Sequence, residues 1–142
     1  MYDVRMKRGW ESEEAVLFRD MVRRFLETEA VPLDEKWREQ KFVDRDFWKR
    51  AGEVGILCPS VPDAYGGGGG DFSLEAVVAE ELSYAGITSF LQLIHGTIVA
   101  HYLVAYGSQE QKARWLPGMA SLQKRFEGPV RCFSVSPGAA CF

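Results

Sequence analysis

The sequence predicts an all-α protein, a multi-helix bundle that ends in an irregular or short strand-like C-terminal tail. Three observations carry this. Apolar residues recur three and four apart along most of the chain, the spacing of one helix face. Capping residues precede these runs, and glycine or proline follows them. The one long interruption is a glycine- and proline-rich loop rather than an alternating strand. The 142 residues, 46% of them hydrophobic, suit one globular domain.

Ser12 is placed to cap the first helix, with Glu13 and Glu14 favourably sited in its first turn and Phe18, Met21, Val22 and Phe25 on one face. Pro32 ends or bends it, because Val31 before a proline is pushed out of the helical region, and a short helix resumes over Leu33 to Glu39. Asp44 is the next cap. Phe47, Trp48 and Ala51 follow on one side until Gly52 and Gly55 stop the helix. The loop GILCPSVPDAYGGGGGD holds two prolines and six glycines, so any strand in it is short. Ser73 then caps a helix with Leu74, Val77, Val78 and Leu82 inward, closed by Gly86. Thr88 opens another that runs to Tyr106 and stops at Gly107. Ser108 and Gln111 form a capping box, and Glu110 pairs with Arg114 on a helix ending near Leu116 and Pro117.

Charge is spread unevenly. Seventeen basic and twenty acidic residues leave a net −3, which points away from a nucleic-acid partner. Yet from Leu82 to Gln109 there is no Lys, Arg, Asp or Glu. Ile87 to Tyr106 is long enough to cross a bilayer as a helix. Thr88, Ser89, Gln92, His95, Gly96, Thr97 and His101 lie within it, however, and its flanks lack clustered Lys or Arg, so a helix buried on most sides is expected and no membrane span.

Familiar active-site patterns are missing. Gly66 to Gly70 precede a helix as a phosphate loop would, but no Lys-Ser or Lys-Thr follows, and Asp71 stands where a dinucleotide fingerprint needs its third glycine. A flexible turn is the expected reading. His95 and His101 fall on roughly opposite sides of a helix and are expected to bond to backbone rather than share a metal. Glu80 and Glu81 point about 100° apart, unlike a cooperating carboxylate pair. Trp37, Trp48 and Trp115 read as core or groove-filling residues. Three cysteines without metal-ligand spacing suit a reducing compartment, and the opening MYDVRMKRGW has no apolar stretch of the signal-peptide kind.

The stretch PDAYGGGGGDFSLEAVVAEELSYAG, followed by HGTIVAHYLVAYGSQEQKARWLPGMAS, resembles the N-terminal helical domain of acyl-CoA dehydrogenases. Its parts are a proline-acid-x-Tyr-Gly-Gly turn, a Glu-Glu-Leu-x-Tyr helix end, a Gly-Ser-x-Glu-Gln-Lys cap and a Trp-Leu-Pro-x-Met run. FRDMVRRFLETEAVP and DFWKRAGEVGILCPSVP fit the family's opening helices. The resemblance covers about Glu11 to Ser121, giving a helical domain over residues 1–121 and a divergent tail over 122–142, at the start of a β-barrel domain that this chain lacks.

The resemblance implies a flavoprotein that uses FAD and acyl-CoA, passes electrons to an electron-transfer flavoprotein and assembles as a homo-oligomer. In the family reaction a carboxylate removes the α-proton of the acyl thioester while the β-hydrogen leaves as hydride to the flavin. That base belongs to a C-terminal domain, so no catalytic residue is assigned here and the 142-residue chain is expected to be inactive. Aligned on Tyr84 and Gly107, the acyl-pocket positions fall at Phe90, Leu91, Ile94 and Ile98. Offsets of one, four and eight would place these apolar residues on one helical face, as a fatty chain requires.

In the tail, LQKRFEGPVRCFSVSPGAACF, only Pro137, Gly138 and Ala139 match the family's flavin-contacting Thr-Glu-Pro-Gly-Ala-Gly-Ser-Asp motif. Val135 and Ser136 stand at the Thr and Glu positions and are the candidate cofactor contacts. The expected compartment is the cytoplasm, with the mitochondrial matrix as the alternative. A different class of reading is a non-catalytic helical interaction module derived from the same fold.

Overall fold

The computed structural model describes residues 9–122, which are helical over most of their length and contain no strand. Helix α1 (Glu13–Phe25) begins where the Ser12 Oγ accepts from the Ala15 amide at 3.0 Å. It continues through a π turn (Leu26–Ala30) and a 3₁₀ turn carrying Pro32 (Val31–Leu33) into α2 (Asp34–Gln40), so the proline changes the winding without parting the two segments.

Helix α3 (Arg45–Glu53) starts after Asp44, whose carboxylate caps no backbone amide. It accepts instead from Lys36 Nζ at 2.8 Å, Gln40 Nε2 at 3.0 Å and Trp37 Nε1 at 3.1 Å, and these donors pull its pKa down to about 2. Gly52 lies inside α3 rather than ending it. A Cβ there would sit 2.8 Å from the Ser121 carbonyl oxygen, so glycine lets α3 cross closely over the last turn of α6 (Gln109–Ser121). Gly55, at φ +79°, is the residue that turns the chain away.

Helix α4 (Phe72–Tyr84) is capped by Asp71, which accepts from the Ser73 amide at 2.7 Å; Ser73 is already inside the helix. Leu74, Val77, Val78 and Leu82 are buried, as their spacing requires. The uncharged segment does not begin its helix at Thr88. Phe90 is drawn into the core between Phe47 and Trp48 (ring centroids 4.9 and 4.5 Å away), and Ser89 donates to Asp34, which leaves 87–91 irregular. A π-helix (Leu93–Ala100) follows and passes into α5 (His101–Tyr106).

The capping box of Ser108 and Gln111 opens α6, but the helix runs through Pro117 to Ser121 instead of stopping there. One missing amide is outweighed by burial of Leu116, Gly118 and Ala120. Arg114 lies over the ring of half-exposed Trp115, 4.9 Å from its centroid, and no Glu110–Arg114 ion pair forms among the described residues. Trp37, Phe47, Ile56, Leu57, Val77 and Leu116 form the centre of the core, with Phe25 stacked on Phe47 at 5.3 Å.

Helix α1 lies along α4 over a buried ion cluster. Arg19 donates to Glu11, to Glu80 at 2.7 Å and to Glu81 at 2.7 Å, while Arg23 adds a second cation to Glu81 at 2.9 Å. The adjacent Glu80 and Glu81 therefore converge on one guanidinium despite their angular separation, because both side chains are long enough to reach it.

Candidate functional site

The candidate acyl-facing residues part company. Phe90 is 3% exposed and belongs to the core, whereas Leu91, Ile94 and Ile98 are 47%, 43% and 50% exposed. Phe90 and Leu91 precede the π-helix, so the four do not share one helix face. Ile94 and Ile98 instead begin a stripe spaced by four that continues through exposed Tyr102 and Tyr106, whose rings lie 5.9 Å apart. Large apolar side chains gathered on an exposed uncharged helix mark a surface made to be covered.

Behind that stripe the helix is clamped by polar groups. Gln92, fully buried, donates its amide to the carbonyls of Ile56 at 2.9 Å and Leu57 at 3.1 Å. One turn on, a Cβ on Gly96 would lie 1.9 Å from the Leu57 oxygen, so only glycine permits the loop to approach this closely. On a neighbouring face Thr97 donates to the Glu75 carboxylate at 2.6 Å, and Ser60 donates to the same carboxylate at 2.8 Å. His101 Nε2 lies 2.8 Å from Ser60 Oγ. The only hydroxyl proton of Ser60 is committed to Glu75, so the His101 Nε2–H is the donor in that bond.

Glu75, Ser60, Thr97 and Gln92 were not among the residues expected to matter. Glu75 carries a legible signal: it sits three residues before Val78 and seven before Leu82, on the inward stripe of α4, where a carboxylate needs a partner. Nothing in the spacing of Ser60 or Thr97 identifies them as that partner. Cys58 lies in the same region; burial, reinforced by the nearby Glu75 charge, pushes its thiol up to about 12, so it keeps its proton at neutral pH.

His95 bonds to backbone as expected, its Nε2 lying 2.9 Å from the Met119 carbonyl, with the Trp48 ring 5.3 Å away. Burial holds its pKa below the usual histidine range, the Met119 carbonyl acting in the opposite sense. A depressed histidine binds fewer protons folded than unfolded. Stability is therefore complete above the unfolded pKa of about 6.5 and falls as pH drops below it, by at most about 1.4 kcal/mol per pH unit. Urea midpoints measured between about pH 7 and pH 5.5 should show this decline, and His95→Gln should flatten it.

The glycine run is a packed turn rather than a flexible one. The amides of Gly67, Gly68, Gly69 and Gly70 donate to the carbonyls of Pro62, Cys58, Val61 and Pro59, at 3.3, 3.0, 2.9 and 3.1 Å. A Cβ on Gly67 or Gly68 would meet backbone oxygens at 2.2 or 2.5 Å. With these amides already committed, the loop does not fit the pyrophosphate of FAD. Val135 and Ser136 lie outside the described residues. Among the described residues no cluster of three His, Cys, Asp or Glu could hold a metal, and no helix is long and apolar enough to cross a membrane.

The family model described as acyl-CoA dehydrogenase, N-terminal domain, matches residues 12–123. Over 119 residues the chain is 34% identical to the mitochondrial long-chain specific acyl-CoA dehydrogenase of Rattus norvegicus, covering 84% of this chain and 27% of that protein. The crystal structure of an acyl-CoA dehydrogenase from Geobacillus kaustophilus superposes with a TM-score of 0.72 at 38% identity, covering 81% of this chain and 30% of that one. That of an acyl-CoA dehydrogenase complexed with FAD, from Bacillus anthracis, gives 0.71 at 29% identity, covering 82% and 20%. The chain thus spans less than a third of the length of each of these relatives.

Proposed function

Because this chain belongs to the acyl-CoA dehydrogenase family by its N-terminal domain, we propose that residues 1–121 supply the helical wall of an FAD-dependent enzyme that dehydrogenates acyl-CoA thioesters. Leu91, Ile94 and Ile98 face the acyl chain and Phe90 backs them from the core. The observation that carries this reading is the exposed, uncharged stripe of Ile94 and Ile98, an arrangement disfavoured in water unless something apolar covers it. FAD, when bound, supplies the hydride acceptor. The committed glycine amides leave its phosphates to be held elsewhere, so the part assigned to the described residues is acyl packing and contact with further domains. The tail from residue 122 marks the passage to those domains. An electron-transfer flavoprotein as acceptor and a homo-oligomeric assembly complete the proposal.

Two preparations test it. The 142-residue chain alone should be colourless after incubation with FAD and should form no enoyl-CoA. A chimera in which residues 12–121 replace the matching segment of the Geobacillus kaustophilus enzyme should be active, and Ile94→Ala in it should favour longer acyl chains. The shift should be about fourfold in kcat/KM for each methylene newly accommodated, the equivalent of about 0.8 kcal/mol. A yellow, active 142-residue chain would contradict the assigned role, and an unchanged chain-length preference in the chimera would remove Ile94 from the pocket.

A further inference from the structure

We propose that Glu75 is a positioning residue that sets the rotation of the helix over 93–106 and thereby holds Ile94 and Ile98 outward. The inference rests on the acyl-wall reading for its purpose, but not for its geometry. Left to itself, a helix carrying Ile94, Ile98, Thr97 and His101 would turn its isoleucines inward and its polar residues to water. The opposite is observed. Thr97 and His101 are four residues apart and both face the Ser60–Glu75 pair, while the two isoleucines are about half exposed.

The Gln92 and Gly96 contacts fix one side of the helix against the 56–57 carbonyls, and the Glu75 carboxylate fixes the side that carries Thr97 and His101. The Glu75 side chain is 0% exposed, and it accepts from Ser60 Oγ at 2.8 Å, the Ser60 amide at 3.4 Å and Thr97 Oγ1 at 2.6 Å. His101 Nε2 lies 3.6 Å from it. Rotating the helix by one residue would replace Thr97 with Ile98 against a buried carboxylate, which would lose a donor it has no means of recovering from water. Helix α4, which carries Glu75, is tied to α1 by the Arg19 and Arg23 ion pairs, so the carboxylate is held in place as a reference for the helix over 93–106. Glu75 does not touch the acyl chain; it acts through Thr97, Ser60 and His101.

The test uses the 142-residue chain with labelled isoleucine methyl groups and a soluble paramagnetic probe. In Glu75→Leu the Ile94 and Ile98 methyl groups should lose relaxation enhancement as they turn inward, and the His101 ring nitrogens should lose the signature of an Nε2–H donor. Glu75→Gln, which keeps an acceptor for Thr97 but turns an amide donor toward Ser60, should restore the isoleucine exposure while freeing the Ser60 proton for His101 Nε2. Thr97→Val serves if Glu75→Leu does not fold, with the same inward turn expected. Unchanged isoleucine exposure in Thr97→Val and in a folded Glu75→Leu would overturn the proposal. In the chimera that carries residues 12–121 in the Geobacillus kaustophilus enzyme, titration with palmitoyl-CoA separates the two readings. Isoleucines that respond to Glu75 substitution but not to the acyl thioester would leave the positioning role standing and remove the acyl wall.

Discussion

Replacing Arg19 by Met should destabilise the protein by about 3–5 kcal/mol, among the largest losses of any single substitution. The reason is the company Arg19 keeps. Glu11 and Glu81 have side chains only 2% and 3% exposed, and the same guanidinium also reaches Glu80 at 2.7 Å. The Met side chain would fill much of the space but leave buried carboxylates short of a cation. Arg23, at 2.9 Å, compensates Glu81 only in part and lies too far along α1 to substitute fully. Removing charge from both sides should hurt less than removing it from one, so Arg19→Met combined with Glu81→Leu should recover part of the loss. Urea denaturation of the two single variants and the double variant reads the coupling directly, through shifts in midpoint at constant slope.

Gly96→Ala should cost about 3 kcal/mol or more although it adds a single methyl group. The added carbon would lie 1.9 Å from the Leu57 oxygen and 2.7 Å from Gln92 Nε2. Neither neighbour can yield easily. The Leu57 side chain is fully buried, and moving its carbonyl breaks bonds from Gln92, whose Oε1 already lacks a hydrogen-bond partner among the described residues. Gly9→Ala is the matching control, since a Cβ there meets nothing within 4 Å among the described residues, and it should change stability by no more than about 0.5 kcal/mol. Equal midpoints for the two variants would show that the helix and loop part without penalty.

Much of the fold was legible because local chemistry and tertiary structure agree. Ser12 and the Ser108–Gln111 pair cap their helices as the capping rules require, and Gly55 and Gly86 turn the chain through positive φ where glycine follows an apolar run. The disagreements arise where a distant partner decides. Gly52 looks like a helix stop, yet it is a crossing point for α6. Pro117 should end α6, but the burial of Leu116 and Ala120 carries the helix past it. Thr88 is a plausible cap until Phe90 is found between Phe47 and Trp48, which unwinds the segment beside it. For the candidate site, the apolar character of Leu91, Ile94 and Ile98 was readable, and their outward direction was not.

What the sequence by itself determined is the helical class, most of the caps, the uncharged segment and, through motif resemblance, the family. These depend on residue types within a turn or two of each other, where the chain's covalent geometry fixes the distances. Only the tertiary structure decided that the uncharged helix is π-wound over Leu93–Ala100, that the glycine run is packed rather than loose, and that Phe90 belongs to the core. It alone joined Ser60 to His101 and Glu75 to Thr97, 41 and 22 residues apart. A buried carboxylate must find donors, but nothing local to α4 says which ones; the packing of α4 against the π-helix and the loop makes that choice.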